Sequence, residues 1–208
     1  MKTTHCLLAA LASLLAASCS TMSPRPTPFL SGLSLIETNS GSGTQLGFAA
    51  SAWPEAAPVR RVSVESAWAP KSSDSLVDGR GERLTDAFDE ALRSELTERG
   101  FDVVEPGPDA IAVEARVTDY DASSVLLNVA SAVALFVPID NGGAAAEVLV
   151  RTPGGQPLLA RSAAGNGGPL QLPRYFTTLG HARLFLSTWA DEIADDLEAR
   201  LLTRDPAI

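Results

Sequence analysis

The chain reads as an α+β protein: a mostly antiparallel sheet with two helices packed on one face, in the order β-α-β-β-β-β-α, behind a lipidated N-terminal tether. Three observations predict this. Two stretches repeat apolar residues at the 3.6-residue period of an amphipathic helix. Five shorter stretches have strand patterning, and turn signals between the later ones make antiparallel hairpins. At the start, a short apolar run ends in small residues and a cysteine.

In chain order, residues 59–68 (VRRVSVESAW) alternate Val62, Val64 and Ser66 with Arg61, Ser63 and Glu65, the period of a half-buried strand. Residues 69–81 carry Pro, Ser, Asp and Gly and read as a loop. Leu84, Phe88, Leu92 and Leu96 then line one helical face, with Asp86, Asp89, Glu90 and Arg93 outside, and Gly100 supplies the stop. FDVVE (101–105) is a short strand, PGPD a turn, and IAVEARVTDY (111–120) a longer alternating strand. Val125–Pro138 is almost wholly apolar but short for a membrane span. It reads either as core or as a surface that docks onto a partner or dips into lipid. AAAEVLVRT (144–152) and PLLARSAAG (157–165) flank the PGGQ turn as a hairpin. The last helix, Leu179 to Leu202, carries Phe185, Leu186, Trp189, Ile193, Leu197 and Leu201 on one face and Asp191, Glu192, Asp195, Asp196 and Glu198 on the other. Its Trp189 stripe reads as core packing.

The division into regions follows. Residues 1–18 read as a signal peptide, with Lys2 and His5 before an apolar run from Cys6 to Ala17 that is too short to stay as a membrane helix. Leu15-Ala16-Ala17-Ser18-Cys19 resembles the lipobox pattern L-[AS]-[GA]-C, although Leu15 stands one place early and Ser18 replaces Gly or Ala. Cys19 is therefore the expected lipidation site. Acyl chains there, palmitate among them, would anchor the protein stably, because two or more chains suffice where one does not. Ser20 follows in place of the Asp of inner-membrane retention, which points to the outer membrane. Residues 19–58 read as the tether: STMSPRPTP cannot continue a helix or a ladder, SGSG (40–43) is flexible punctuation, and FLSGLSLIE (29–37) between them is apolar enough to lie along the domain surface. Residues 59–203 form the domain and 204–208 a tail.

Cleavage before Cys19 leaves 15 basic against 25 acidic residues, a formal charge of −10, with Lys71 the only lysine. That balance argues against nucleic acid as a partner and against flat adsorption to anionic lipid. Cys19 is then the only cysteine, so no intramolecular disulfide can form.

Several segments together resemble the DUF3313 family of bacterial lipoproteins. FLSGLSLIE is similar to its FL-x-DYS-x-L opening, with Gly32-Leu33 in place of an acidic-aromatic pair. Arg99–Tyr120 resembles its Gly-aromatic strand, PGPD turn and following strand. Val125–Ser162 resembles its apolar segment and G-G-A-x-x-E hairpin, with Val150-Arg151 where Asp-Ser is usual and Pro153 interrupting Thr-Gly. Phe185, Trp189 and Ala190 resemble its closing F-x-x-W-A helix, with one residue more between Phe and Trp. The likeness spans residues 29–202 and implies a location rather than a mechanism, since the family's activity is unknown. DUF4410, a related lipoprotein family, shares the strand-turn-strand character.

No catalytic, cofactor or metal site is expected. His181 reads as an exposed residue opening the last helix, without a second His or a Cys at ligand spacing. Asp119 and Asp121 fall on one face of a strand end and read as solvated. Ser73-Asp74-Ser75 lacks a histidine partner, and Gly79-Arg80-Gly81 reads as a hinge rather than an anion site. The sequence therefore predicts a non-enzymatic, outer-membrane-anchored periplasmic lipoprotein. Its expected partners are the membrane, through Cys19, and another envelope protein. The alternative is a small-ligand carrier or enzyme with a site the sequence does not display.

Overall fold

The computed structural model describes residues 23–40, 43–51, 53, 60–70, 79–122, 142–166 and 177–202. The signal peptide, Cys19, Ser73–Ser75 and the apolar run Val125–Pro138 lie outside the described residues.

Seven strands form one sheet: β1 (Ile36–Ser40), β2 (Gly43–Ala49), β3 (Arg61–Trp68), β4 (Asp102–Val103), β5 (Ile111–Asp121), β6 (Gly143–Arg151) and β7 (Pro157–Asn166). Helix α1 (Arg80–Glu98) follows β3, and α2 (Gly180–Leu201) closes the chain. The spatial order is β1-β2-β7-β6-β5-β3-β4. The sheet is mixed rather than mostly antiparallel: β3 pairs in parallel with both β4 and β5, while β1–β2, β2–β7, β5–β6 and β6–β7 are antiparallel. The reason is α1. It carries the chain back to the start of β3, so the next strands run in the same direction.

Two strands were absent from the expected order. β1 and β2 lie within residues 19–58, which the sequence presents as a tether. They form a hairpin whose strands pair up to Ser40 and Gly43, and β2 then joins β7. The Gly41-Ser42 dipeptide that reads as linker also suits a two-residue hairpin connection. The glycines do not distinguish the two.

Both helices pack on one face of the sheet. Alternation places Val62 and Val64 of β3, Ile111, Val113 and Val117 of β5, Val148 and Val150 of β6, and Leu159 of β7 beneath them. Helix α1 contributes Leu84, Phe88, Leu92 and Leu96; α2 contributes Phe185, Trp189, Ile193 and Leu197. Trp189 stacks between two rings, 5.6 Å from Phe88 and 6.3 Å from Phe185. At the start of α1, Gly79 takes a left-handed φ of 63°. Gly81 is required by close approach: a Cβ there would stand 2.2 Å from the Trp68 ring.

Charged side chains fasten the helical layer. Arg99, after α1, pairs with Glu95 at 2.6 Å on its own helix and reaches across to Asp191 and Asp195 on α2. Burial pulls its pKa down, but the bonds to Glu95, Asp195 and Asp191 outweigh that and hold it above the ordinary arginine value. On the far side, Arg161 of β7 donates to Gln45 Oε1 at 3.0 Å and to Asp196 of α2, while Gln45 Nε2 donates to Glu192 at 2.6 Å. No helix among the described residues is long and apolar enough to cross a membrane.

Candidate functional site

The opposite face of the sheet is covered by the chain's own N-terminal segment, and the most distinctive polar geometry lies there. Strand β6 is buried along residues 143–150, because helices cover one side of it and this segment the other. Within that apolar run sits one acid, Glu147, with 0% of its surface exposed. A buried carboxylate needs hydrogen-bond donors. Thr27 supplies two: its backbone N–H donates to Oε1 and its hydroxyl to Oε2, each at 2.6 Å. The same hydroxyl accepts from the Phe29 N–H at 3.2 Å and so caps the 3-10 turn Pro28–Leu30.

Local sequence explains why Thr27 can do this. A residue before proline is pushed toward extended backbone. Thr27 stands between Pro26 and Pro28 and adopts φ −87°, ψ 174°. The prolines that suggested a free tether thus fix the shape of a docked one. Beyond the turn, Leu30 is buried against Leu149 and Ala160, with Phe29, Leu33, Leu35 and Phe48 packed around them.

Beside this clasp runs an open groove of about 520 Å³, lined by Arg25, Thr27, Phe29, Pro70 and Arg116 among others. Arg116 is the cross-strand neighbour of Glu147 in the β5–β6 register. Its guanidinium lies 3.9 Å from the centre of the Phe29 ring, a cation–π contact that orients it along the groove wall. Two guanidiniums on apolar walls can receive an anionic or acceptor group. They supply neither a nucleophile nor a base. A second groove between β3 and α1 is acidic, with Asp86, Asp89 and Glu90, and its Arg93 donates to Asp89 and to the Val64 carbonyl on the β3 edge.

The residues singled out from sequence scatter. His181 is not an exposed helix-start residue: it is 1% exposed, in the first turn of α2 where that turn meets the core. Asp119 and Asp121 flank Tyr120 after an irregularity between Val117 and Asp119 in the β5–β6 register. Asp119 accepts from the Tyr120 N–H at 2.9 Å, a local backbone role. Gly79 and Gly81 start α1, with the Trp68 ring filling the space beside Gly81. No group of three His, Cys, Asp or Glu among the described residues could hold a metal ion. Sequence reasoning missed Thr27, Arg116 and Glu147. The available signal was Glu147 itself, the one charge within the apolar run 143–150.

A family model described as "Protein of unknown function (DUF3313)" matches residues 25–193. The chain belongs to the DUF3313 family. That match takes in Thr27, Arg116, Glu147 and most of α2. Among solved structures, this DUF3313 chain is similar to a PelC dodecamer from Paraburkholderia phytofirmans, with TM-score 0.45 and 10% identity over 72% of this chain and 97% of that one. A variant of that dodecamer in a second crystal form gives TM-score 0.42 and 10% identity over 77% and 98%. No curated protein matches the chain.

Proposed function

We propose that this protein is a non-enzymatic adaptor of the bacterial envelope, lipidated at Cys19, held at the outer membrane and binding another envelope component from the periplasmic side. The anchor rests on the Leu15–Cys19 pattern and the location on Ser20. The adaptor role is supported chiefly by the β1 edge. Among the described residues, strand β1 is the last in the sheet order, pairs only with β2, and displays Ile36 at 71% exposure. An edge strand with free backbone groups is a template for a partner's strand. At the other edge, β4 is only two residues long and Arg93 occupies the Val64 carbonyl beyond it.

The test is in-cell cross-linking with affinity capture of the full-length protein, beside Cys19→Ala and Ile36→Lys. A specific envelope partner, lost from both variants while the melting temperature of Ile36→Lys stays unchanged, supports the reading. Capture that survives both substitutions sinks it. A second reading, a small-ligand carrier, is favoured by the groove that Arg25 and Arg116 both line, with the Arg116 guanidinium over the Phe29 ring.

A further inference from the structure

The docking of Thr27 changes the length of the proposed tether, and with it the geometry of the anchored protein. A free tether from Cys19 to residue 58 could extend to about 140 Å at ~3.6 Å per residue. Here the chain is already on the sheet at Thr27, and Arg25 lines the groove beside it. Cys19 stands six residues before Arg25. Fully extended, that reach is at most about 22 Å. A domain of this length has a radius of gyration of roughly 16 Å, hence a diameter of about 40 Å. The tether is shorter than the body it holds, so the exit point stays within about 22 Å of the bilayer and cannot reach the far side of a body about 40 Å across.

We infer that the protein rides on the membrane with one side fixed toward the lipid headgroups: the groove side, at the β5–β3 part of the sheet, where Ala69, Pro70 and Arg116 meet Arg25 and Phe29. This rests on the lipidation reading above. The occupant of that side is the bilayer surface, and covalent reach sets the contact rather than attraction. Besides Arg25 and Arg116, the same face carries exposed Glu65 and Asp121 and half-buried Asp119. With a protein this acidic, these carboxylates oppose spontaneous adsorption to anionic lipid. The geometry has a second consequence. The register from Ile36 through Gly47 and Arg161 to Val148 puts Ile36 on the helical face of the sheet, opposite the face that carries Arg116 and the groove, and so on the side turned away from the membrane.

The experiment uses the acylated full chain. Once Cys6 is cleaved off with the signal peptide and Cys19 is acylated, any engineered cysteine is the only free thiol. A fluorophore is placed singly at Ala67→Cys, exposed and in register with Arg116, at Thr38→Cys on β1, and at Ser187→Cys on the outer side of α2. Each protein is reconstituted into phosphatidylethanolamine–phosphatidylglycerol vesicles carrying a headgroup quencher. Quenching at least twofold stronger at position 67 than at 38 and 187 is expected. Inserting about 20 Gly/Ser residues between Ser23 and Pro24 should erase that difference while the protein stays on the vesicles. The unacylated Cys19→Ala form should not bind them. Vesicle-bound protein with equal quenching at all three positions overturns the orientation alone, as does a difference that survives the insertion. Binding by Cys19→Ala overturns the claim that reach sets the contact. Full-length protein that fails to fractionate with cell membranes overturns the lipidation reading and this one together.

Discussion

The two faces of the sheet are covered by different means. On one, α1 and α2 bury large apolar side chains in a continuous cluster centred on Phe88 and Trp189. On the other, an irregular segment buries a small cluster around Leu30 and is held by one polar clasp, Thr27 on Glu147. Apolar burial is non-directional and scales with area, so the helical face tolerates small displacements. A buried carboxylate is directional and fails abruptly when a donor is lost. The first arrangement suits a scaffold. The second suits a device that fixes one chain segment in one place.

The comparison breaks most decisively on the helical side. Trp189→Ala removes a fully buried ring stacked against two others and should destabilise by about 3–5 kcal/mol, a large share of ordinary domain stability. Urea unfolding should show one cooperative transition shifted to lower midpoint, with both faces lost together. A Trp189→Ala protein that keeps its midpoint would mean that the ring stack is not the centre of the core.

On the other face, Thr27→Val keeps the shape and removes the hydroxyl. Glu147 Oε2 loses its donor inside the protein, and the Phe29 N–H loses its acceptor. The expected destabilisation is about 1–3 kcal/mol, and it should be local. Amide hydrogen exchange should rise across residues 29–35 while α1 and α2 keep wild-type protection. Equal loss of protection in both helices would show that the two faces unfold as a single unit.

The same contrast explains what the sequence disclosed. Both helices were legible because Leu84, Phe88, Leu92 and Leu96, and Phe185, Trp189, Ile193 and Leu197, repeat at the helical period and bury the faces that period selects. β5 and the β6–β7 hairpin were legible from alternation and from PGGQ. The parallel pairing of β3 was present in the β-α-β order, since a helix between two strands returns the chain for parallel pairing, but the turn signals among the later strands drew the reading toward an antiparallel sheet. Docking of FLSGLSLIE was legible from its apolar residues, which do lie along the sheet, whereas the Thr27 clasp just before it and the β1–β2 hairpin were hidden by composition. Ser, Thr, Pro and Gly suit a free tether, and they equally suit one whose prolines pre-set an extended Thr27. His181 was misplaced because polarity alone suggested a solvated helix start, whereas the first turn of α2 is inserted into the core. The groove escaped notice because Arg25 and Arg116 are 91 residues apart in sequence and meet only across the sheet.

A third change tests the polar network that supports the helical face. Asp196 accepts from Arg161, which also binds Gln45, so this carboxylate links α2 to β7 and β2. Burial raises its pKa above the ordinary carboxylate value, and Arg161 and Arg200 only partly lower it. A raised pKa means that the folded state takes up the proton at higher pH than the unfolded chain. The stability this contributes is complete below the unfolded value of 3.8 and is lost as pH rises through the folded one. Asp196→Asn lacks that term. At pH 7 the variant should differ from wild type by no more than about 1 kcal/mol, because the pair is partly solvent-exposed. As pH is lowered from 7 toward 4, the urea midpoint of wild type should move in its own favour relative to the variant. A difference that stays constant across that range would mean that Asp196 titrates alike in both states, and that the Arg161 pair fully offsets its burial. The Asp196–Arg161–Gln45 network would then fasten α2 to β7 and β2 equally at both ends of that pH range.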